Sequence, residues 1–431
     1  PKFYPLLSVC IRVHPWQKTA LSVSIRVRPC KSVAKNMSTK PIEVTGSAKQ
    51  PLGMPAAAFL RDYWQKRPLL IRQAFPGFES PITPEDLAGL ACEEAALSRV
   101  VVHDRRRDKW QLRTGPFDEA MFPAMGDRDW TLLVQDVDKW DMDVRALLGH
   151  FRFLPAWRVD DIMVSFAAPG GSVGAHVDQY DVFLLQAHGH RRWQIDSRPG
   201  APTAFRPDVE LKLLQAFEPD HDWVLGPGDM LYLPPGVPHH GVAEDPCLTI
   251  SVGMRAPSQA ELMVDFAEEI AASLPEEARY ADPDLAPPAD PWEIDDAAFG
   301  RVRGALSRLA ALDEAGLRRW FGRFISQYRS AGEIPAPARP PRWAGVAATL
   351  EAGGLLLRHP QVRMAWAREG RGARLHASGL SFPMGVADAR RLAAADQLDA
   401  AGVAALGAAG REALESLLAA GHYQAIKPRR R

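Results

Sequence analysis

The chain has 431 residues, and its 52 Lys and Arg residues balance 52 Asp and Glu residues. This length suggests about two or three domains, and the balanced charge argues against a general affinity for nucleic acid or membrane surfaces. The four cysteines are scattered without a CxxC pair, and no apolar run approaches the roughly 18 to 20 residues of a membrane helix, so we expect a cytoplasmic protein without a disulfide framework or a thiolate zinc site.

The first 36 residues form a basic segment, with seven Lys or Arg residues and no acid. Such a composition is typical of a transit peptide, but the segment has no uninterrupted apolar region followed by a cleavage site. A translation start at Met37 is therefore the favoured alternative. We treat residues 1–50 as a disordered leader or a misassigned start and leave them out of the predicted domains.

The first predicted elements follow this segment. The pattern AAAFLRDYW indicates a helix that ends before Pro68, and LLIR then indicates a short buried strand. Thr83, Pro84 and Asp86 have the spacing of a capping box with proline at the first helical position, so a second helix begins there. Further strand candidates are SRVVVHD, KWQLRTGPF and WTLLVQDVDKW.

Two stretches, residues 161–195 and 226–242, carry the candidate metal ligands. His176 and Asp178 are two positions apart, so on an extended strand both side chains point to the same side. His239 follows the apolar strand MLYL and a Pro-Pro-Gly-Val-Pro turn that fixes the chain direction. Two imidazoles and one carboxylate on one face of a metal are the ligands of non-haem Fe(II) oxygenases. The two stretches are predicted to pair as strands of a double-sheet jelly roll.

Strand alternation identifies two further candidates. Ser165 lies on the strand DIMVSFAAP, which enters the ligand segment, and is either an ordinary strand hydroxyl or a contact of the cosubstrate. In RRWQI, Arg191 shares a face with Trp193 and Ile195, which marks that face as inward. A buried guanidinium is costly without an anion, so Arg191 requires either a bound carboxylate or an internal Asp or Glu.

The residues around these ligands resemble the cupin family. Gly228, Pro234, Gly236 and His239 have the spacing of the second cupin motif, and the segment from Gly170 to His176-x-Asp178 resembles the first, with aspartate in place of a histidine. The wider sequences GAHVDQYDVFLLQAHGHRRW, LPPGVPHHG and SVGMRAP resemble the Jumonji-C ribosomal oxygenases, from about Trp64 to near the C-terminus. Within that family they resemble the bacterial branch that hydroxylates an arginine of large-subunit ribosomal protein sixteen.

The resemblance implies a chemistry for the site. His176, Asp178 and His239 would hold Fe(II), and Arg191 would bind the distal carboxylate of 2-oxoglutarate. The cosubstrates 2-oxoglutarate and O2 would yield succinate and CO2 while C-3 of an arginine side chain is hydroxylated. Tyr180 and Asp181 follow the ligand pair and are candidates to face this substrate, since an acid suits a guanidinium, although alternation turns only one of them inward.

The sequence becomes helical beyond SVGMRAP. Ser258 and Glu261 form a capping box, and further helices are predicted at about 296–312 and 314–330. This segment, 257–333, resembles the dimerisation region of the family and suggests a homodimer, but its aromatic stripe WFGRFISQY suits an intramolecular core equally well. A proline-rich, semi-rigid linker follows at 334–343.

The last segment, 344–431, contains short strands and two alanine-rich helices, at about 386–396 and 408–420, an order that suggests a winged helix. Its last helix has Arg411 as its only Lys or Arg, which is a poor phosphate-binding face. We expect no sequence-specific nucleic-acid binding, and instead a protein-interaction or architectural role.

We therefore predict a mainly β protein with added helices: a double-stranded β-helix of the cupin, Jumonji-C type at 51–256, a helical dimerisation region, a linker and a winged helix. The predicted activity is Fe(II)- and 2-oxoglutarate-dependent hydroxylation of a ribosomal protein. A histidyl hydroxylase or a lysyl demethylase would have the same iron site. Two alternatives are not oxygenases: a metal-binding cupin, which would not need Arg191, and an interaction protein, which would not need catalytic activity.

Overall fold

The structure is a computed structural model that describes residues 40–287, 292, 294–307, 313–327 and 334–428. The basic segment, residues 1–36, and the ends of the helices predicted at 296–312 and 314–330 lie outside these residues. Within the described part of the chain, no helix has both the length and the apolar composition needed to cross a membrane.

The elements before residue 255 form the first part of the fold. Its strands are β1 (Glu43–Thr45), β2 (Leu69–Arg72), β3 (Ser98–Asp104), β4 (Lys109–Thr114), β5 (Trp130–Val134), β6 (Val159–Ala167), β7 (Val182–His188), β8 (Arg191–Ile195), β9 (His221–Leu225), β10 (Met230–Leu233), β11 (His239–Ala243) and β12 (Cys247–Met254). Its helices are α1 (Ala56–Asp62), α2 (Pro84–Ala91), α3 (Met121–Ala124), α4 (Val137–Trp140) and α5 (Met142–Ala146), with 3-10 turns at Leu147–Phe151 and Ala156–Arg158.

These strands form two sheets that face each other. The large sheet has nine strands in the order β1-β2-β10-β7-β12-β6-β5-β3-β4, and the small sheet has the order β11-β8-β9. Leu184 and Leu231 of the large sheet pack with Trp193 and Ile195 of the small sheet. The other face of the large sheet is covered by α1 and α2, which is why β7 and β12 are apolar on both faces. The predicted double-sheet jelly roll is confirmed.

Local signals placed the helix starts correctly. At Thr83 the hydroxyl accepts from the Asp86 amide and the Asp86 carboxylate accepts from the Thr83 amide, so the capping box is complete. The same two bonds join Ser258 and Glu261 at the start of the first helix after the sheets. Each cap satisfies amides that the helix itself leaves unbonded.

The predicted leader at 1–50 extends too far. Strand β1 lies within it and pairs in parallel with β2, and Arg72 donates to the Glu43 carboxylate at 2.8 Å. The boundary was drawn from composition, and the short apolar–polar alternation at 42–45 was missed because its partner strand lies about thirty residues later in the chain.

The second part of the fold contains α6 (Gln259–Ala272), α7 (Asp296–Leu306), α8 (Glu314–Ser326), α9 (Trp343–Glu351), β13 (Leu355–Arg358), β14 (Met364–Glu369), β15 (Gly372–Ala377), β16 (Leu380–Met384), α10 (Val386–Ala394), β17 (Gln397–Leu398), α11 (Ala400–Ala404), α12 (Ala408–Ala419) and β18 (Tyr423–Ile426). Strands β14, β15 and β16 form one three-stranded sheet, and β17, β13 and β18 form another. The two predicted alanine-rich helices correspond to α10 and α12, whereas α9 and α11 were missed.

The proline-rich segment does not separate two independent bodies. Helix α8 precedes it, yet Arg319 pairs with Glu369 of β14 at 3.0 Å and the Gly379 amide donates to the Ser326 hydroxyl. A Cβ added at Gly322 would lie 2.2 Å from the His376 ring of β15. Composition predicted a stiff linker, and it carries no information about which elements pack across that segment.

Candidate active site

The two ligand segments meet through their backbones. His176 and His239 exchange two hydrogen bonds, from the His176 amide to the His239 carbonyl at 3.0 Å and in the reverse direction at 2.9 Å. The Gly236 amide also donates to the Asp178 carbonyl, at 2.7 Å. The strand predicted around His176 and Asp178 is in fact this single bridge, because Gly170, with a positive φ, and the residues after it turn the chain after β6.

The three predicted ligands converge. Asp178 Oδ2 lies 3.9 Å from His176 Nε2 and 3.6 Å from His239 Nε2, and one ligand atom from each residue lies within 4.8 Å of the others. His239 comes from β11 in the small sheet, while the other two come from the connection between β6 and β7. The site therefore lies between the two sheets.

Hydrogen bonds fix the tautomer of both imidazoles. His176 Nδ1 donates to the Gly174 carbonyl and His239 Nδ1 donates to the Val237 carbonyl, each at 2.9 Å. Each Nε2 lone pair is therefore directed to the centre of the group, as in metal-binding histidines held by backbone carbonyls.

The electrostatics of the group fit a divalent cation. Burial lowers the pKa of His239 well below its usual value, and the nearby His176 adds to this effect, so the His239 imidazole stays neutral. Burial raises the pKa of Asp178, although His176 and a hydrogen bond from the Tyr180 hydroxyl act in the opposite direction. A carboxylate whose charge is disfavoured by burial, next to two nitrogen lone pairs, is stabilised by a bound metal ion.

A cavity of about 180 Å³ adjoins the three ligands. Its walls come from both sheets: Ser165 of β6 and Thr249 of β12 lie on the large sheet, and Arg191 and Trp193 of β8 lie on the small sheet. Tyr180 lies at its more exposed end.

Arg191 is the least compensated charge of the cavity wall. Arg191 is only 3% exposed. Burial lowers the pKa of its guanidinium, and the nearby Cys247 thiol offsets part of that effect. Its guanidinium donates to the Gly241 carbonyl at 3.3 Å and stacks over Trp193, but Nε has no hydrogen-bond partner. No Asp or Glu of the described residues forms an ion pair with it, so the internal-carboxylate alternative is not what the structure contains. The buried cation lacks an anion.

Ser165 lies where alternation placed it, and its neighbours extend the pattern. It faces the cavity and is paired across the sheet with Thr249 of β12 and Leu133 of β5. Thr249 was missed in the sequence, although the alternation in LTISV, with hydroxyls at 249 and 251, was a usable signal.

Two acidic residues, Asp160 and Asp161, form an acidic rim of the cavity that was not predicted from the sequence. Asp160 and Asp161 at the start of β6 line the cavity, and alternation from Met163 and Ser165 would have placed Asp161 on the same face. Burial raises the pKa of Asp161 to about 7, and the neighbouring carboxylates of Asp136 and Asp160 contribute to this shift. A cation entering the cavity at this rim would relieve that repulsion.

Of the two predicted substrate-facing residues, only Tyr180 lines the cavity. Asp181 is fully buried and points elsewhere: its carboxylate accepts from the Tyr232 hydroxyl at 2.6 Å, from Gln65 Nε2 at 2.8 Å and from Arg158 at 3.3 Å. The expectation for Asp181 is therefore corrected to a structural anchor. Neighbouring side chains in an extended segment point to opposite sides, and only the fold shows which side is the cavity.

Comparisons with known proteins identify two families along the chain. The family described as JmjC domain matches residues 146–262, and the family described as ROXA-like winged helix matches residues 307–424. The second match begins within the segment predicted for dimerisation, consistent with the packing of α8 on β14 and β15.

Relatives with known names share most of this architecture. The chain is 40% identical to the ribosomal protein uL16 3-hydroxylase of Escherichia coli over 300 residues, which cover 70% of this chain and 79% of that protein. It is 43% identical to a probable ribosomal oxygenase of Haemophilus influenzae over 206 residues, 48% of this chain and 50% of that protein. The structure of the E. coli ribosomal oxygenase YcfD with cobalt and 2-oxoglutarate matches with a TM-score of 0.71 and 34% identity, covering 86% of this chain and 98% of that chain.

Proposed function

Because this chain belongs to the JmjC-domain ribosomal oxygenases, we propose that it is an Fe(II)- and 2-oxoglutarate-dependent hydroxylase of an arginine side chain of ribosomal protein uL16. The observation that carries this proposal is a buried guanidinium, Arg191, with no internal carboxylate, in the same cavity as three converging nitrogen and oxygen ligands.

His176, Asp178 and His239 would hold the iron, because two imidazoles and a carboxylate leave the opposite face of the metal open. When bound, the ferrous ion would supply the chemistry by which O2 oxidises both substrates: one oxygen atom enters an unactivated C–H bond, and the other enters succinate as 2-oxoglutarate loses CO2. The contribution of the protein is orientation: carbonyl-bonded imidazoles and a carboxylate held by the Tyr180 hydroxyl.

Arg191 would bind the distal carboxylate of 2-oxoglutarate. Its planar fork suits a bidentate carboxylate contact, and the pairing would satisfy a charge whose polar contacts are the Gly241 carbonyl and the Cys247 thiol. Ser165 and Thr249 provide hydroxyls on the facing sheet. The Thr249 hydroxyl bonds to Gln186 at 3.1 Å, which fixes its orientation.

The acidic rim favours a cationic substrate side chain. Asp160 and Asp161 lie at the cavity, and Tyr180 lies beside Asp178 at its more exposed end. An arginine guanidinium entering here would pair with a carboxylate whose ionisation is now opposed by its neighbours. A neutral histidine would gain much less, so the rim supports arginine as the target rather than histidine.

The helical region supports a homodimer as the assembly. Large apolar side chains on α6 and α7 are more than half exposed, a pattern that marks interaction surfaces in soluble proteins: Met263 68%, Val264 59%, Phe299 55% and Leu306 60%. The contact surface would lie within 257–333. A ribosomal-protein substrate also supports a cytoplasmic location.

The direct test is incubation of the protein with Fe(II), 2-oxoglutarate, O2 and uL16 or its peptides, followed by fragment mass spectrometry. We expect a gain of one oxygen atom on an arginine, and none with the His176→Ala variant or with a peptide in which lysine replaces that arginine. Oxygen on a histidine would indicate a histidyl hydroxylase, and loss of a methyl group would indicate a demethylase. Absence of succinate release that depends on 2-oxoglutarate would leave a metal-binding cupin.

A further inference from the structure

We propose that the winged helix takes part in substrate recognition through Arg363, which acts as a positioning residue for the acidic rim of the cavity. This inference rests on the proposed function, because it assigns the rim to substrate binding. The C-terminal domain would thereby take part in the reaction without contacting nucleic acid and without placing one of its own side chains in the cavity.

Arg363 immediately precedes β14 and reaches across to the start of β6. Its Nη2 donates to the Asp160 carbonyl at 2.6 Å and to the Asp160 carboxylate at 2.5 Å, and its Nη1 donates to the Val159 carbonyl at 3.4 Å. The Arg363 side chain is 13% exposed, so these charged hydrogen bonds are partly shielded from water and strong. A single guanidinium thus holds both the main chain and the side chain of Asp160.

The sheet alone restrains this end of β6 weakly, so contacts from outside the sheet matter. Besides Arg363, the Arg255 guanidinium lies 3.8 Å from the Asp160 carboxylate, and the Ile162 amide donates to the Asp138 carboxylate at 2.8 Å. Pairing of β6 with β5 covers Thr131–Val134 opposite residues 164–167 and does not reach residue 160. On the other side, the register with β12 shifts between Val252 and Met254, opposite the start of β6. A strand end with an irregular partner on one side and no strand on the other has freedom that an external hydrogen bond removes.

Asp160 lies where a change in its position would alter the contacts of the substrate. It lines the catalytic cavity and also a second cleft of about 630 Å³ between the jelly roll and the winged helix. It therefore forms part of the wall that the two spaces share. Asp161 follows it directly, and its carboxylate accepts from the Asp136 amide at 3.2 Å. Displacement of the Asp160 main chain would redirect both carboxylates of the rim.

The chain provides a matched control in a second contact between the same two domains. Asp396, just before β17, pairs with Arg145 of α5 at 3.1 Å and with Arg358 of β13. It joins the winged helix to the jelly roll as Arg363 does, but none of these three residues lines the catalytic cavity. Loss of this contact weakens the attachment of the domain without touching the rim.

The test compares Arg363→Met, Arg363→Lys and Asp396→Asn in steady-state hydroxylation of a uL16 peptide. For Arg363→Met we expect the peptide KM to rise about fivefold, in the lower part of the range for coupling between contacting residues, with kcat and the KM for 2-oxoglutarate unchanged. Arg363→Lys keeps one charged donor and should recover part of the loss. Asp396→Asn should leave all three constants unchanged.

A thermodynamic cycle with a variant that lacks both rim carboxylates, Asp160→Asn combined with Asp161→Asn, identifies the route of the effect. If Arg363 acts by placing these two carboxylates, adding Arg363→Met to that variant should raise KM no further. Equal KM increases in Arg363→Met and Asp396→Asn would overturn the inference, because they would indicate general domain attachment. Additive effects in the cycle, or parallel losses of kcat and 2-oxoglutarate binding, would also overturn it.

Hydrogen exchange separates failure of this inference from failure of the proposed function, since it requires no substrate. Arg363→Met should accelerate exchange of the backbone amides at 159–162 relative to wild type and to Asp396→Asn. Unchanged exchange there would refute the positioning role even if the wild-type enzyme hydroxylates arginine. Faster exchange together with an inactive wild type would instead refute the assigned substrate.

Discussion

Replacing Arg191 with methionine should weaken 2-oxoglutarate binding by at least about 30-fold and, at the same time, stabilise the protein in the absence of 2-oxoglutarate. The two effects have opposite signs because the structure gives this guanidinium a carbonyl at 3.3 Å and a thiol, but no carboxylate. In the free protein the side chain is a buried charge with little compensation. In the complex it would be half of a buried ion pair.

The magnitudes follow from burial. Loss of one partner of a buried charge pair costs about 2–5 kcal/mol of binding free energy, or roughly 30- to 4000-fold in Kd. In the free protein, replacing a charge that is 3% exposed by an apolar side chain of similar length should raise the free energy of unfolding by about 1–3 kcal/mol. For a chain of this size that corresponds to an increase in the thermal midpoint of about 1–4 °C.

Two measurements check these values. Titration calorimetry of the cobalt-loaded protein with 2-oxoglutarate gives Kd without turnover, and thermal unfolding with and without 2-oxoglutarate gives both stability effects. Arg192→Met is the matched control: Arg192 lies on the same strand but points outward and pairs with Asp222 and Glu244. The control should bind 2-oxoglutarate as the wild type does.

Two results would refute the reasoning. If Arg191→Met binds 2-oxoglutarate within threefold of wild type, the guanidinium does not hold the cosubstrate. If Arg191→Met is clearly less stable than wild type without 2-oxoglutarate, the contacts of Arg191 within the protein already compensate its charge, and the argument from an unpaired cation fails.

Three further predictions test other parts of the site. His239→Ala should remove the stabilisation by cobalt, which for the wild type is about 2.7 kcal/mol at a hundredfold excess over Kd; a thermal shift that persists would place the metal elsewhere. Because burial and neighbouring acids raise the pKa of Asp161 to about 7, its charge is lost as pH falls through that value, so the KM for an arginine peptide should rise from pH 8 to pH 6. Asp161→Asn should raise KM about tenfold at pH 8, a loss typical of one charged hydrogen bond, and flatten this profile; an unchanged slope would exclude Asp161 as its origin. Phe299→Asp should convert the proposed homodimer to a monomer in light-scattering measurements, whereas Ala297→Asp, at an exposed position on the opposite face of α7, should not; a dimer that survives Phe299→Asp would exclude α7 from the interface.

The features predicted correctly from the sequence depend on residues close together in the chain. Strand alternation in RRWQI predicted that Arg191 points inward, and the burial of alternate residues in β8 confirms this prediction. The capping boxes at Thr83 and Ser258 are complete because each needs only four consecutive residues. The ligand set was also accessible, since His176 and Asp178 are two positions apart and the turn before His239 is marked by prolines and glycine.

The remaining features depend on contacts between distant segments. The two backbone bonds between His176 and His239 bring the ligands together, and the cross-strand pairing of Ser165 with Thr249 places both hydroxyls on the cavity wall. The fold also decided that Asp181 is buried among Tyr232, Gln65 and Arg158 while Tyr180 lines the cavity.

The sequence alone determined the period of each strand, the starts of two helices and the residues proposed to bind iron and a carboxylate, because these follow from local geometry and side-chain chemistry. Tertiary structure alone decided which face of each extended segment became the cavity and which elements pack across the proline-rich segment. It also placed Arg363 of the winged helix on Asp160. Such contacts can join residues about two hundred positions apart in the chain. They depend on strand register and packing, which local composition does not encode.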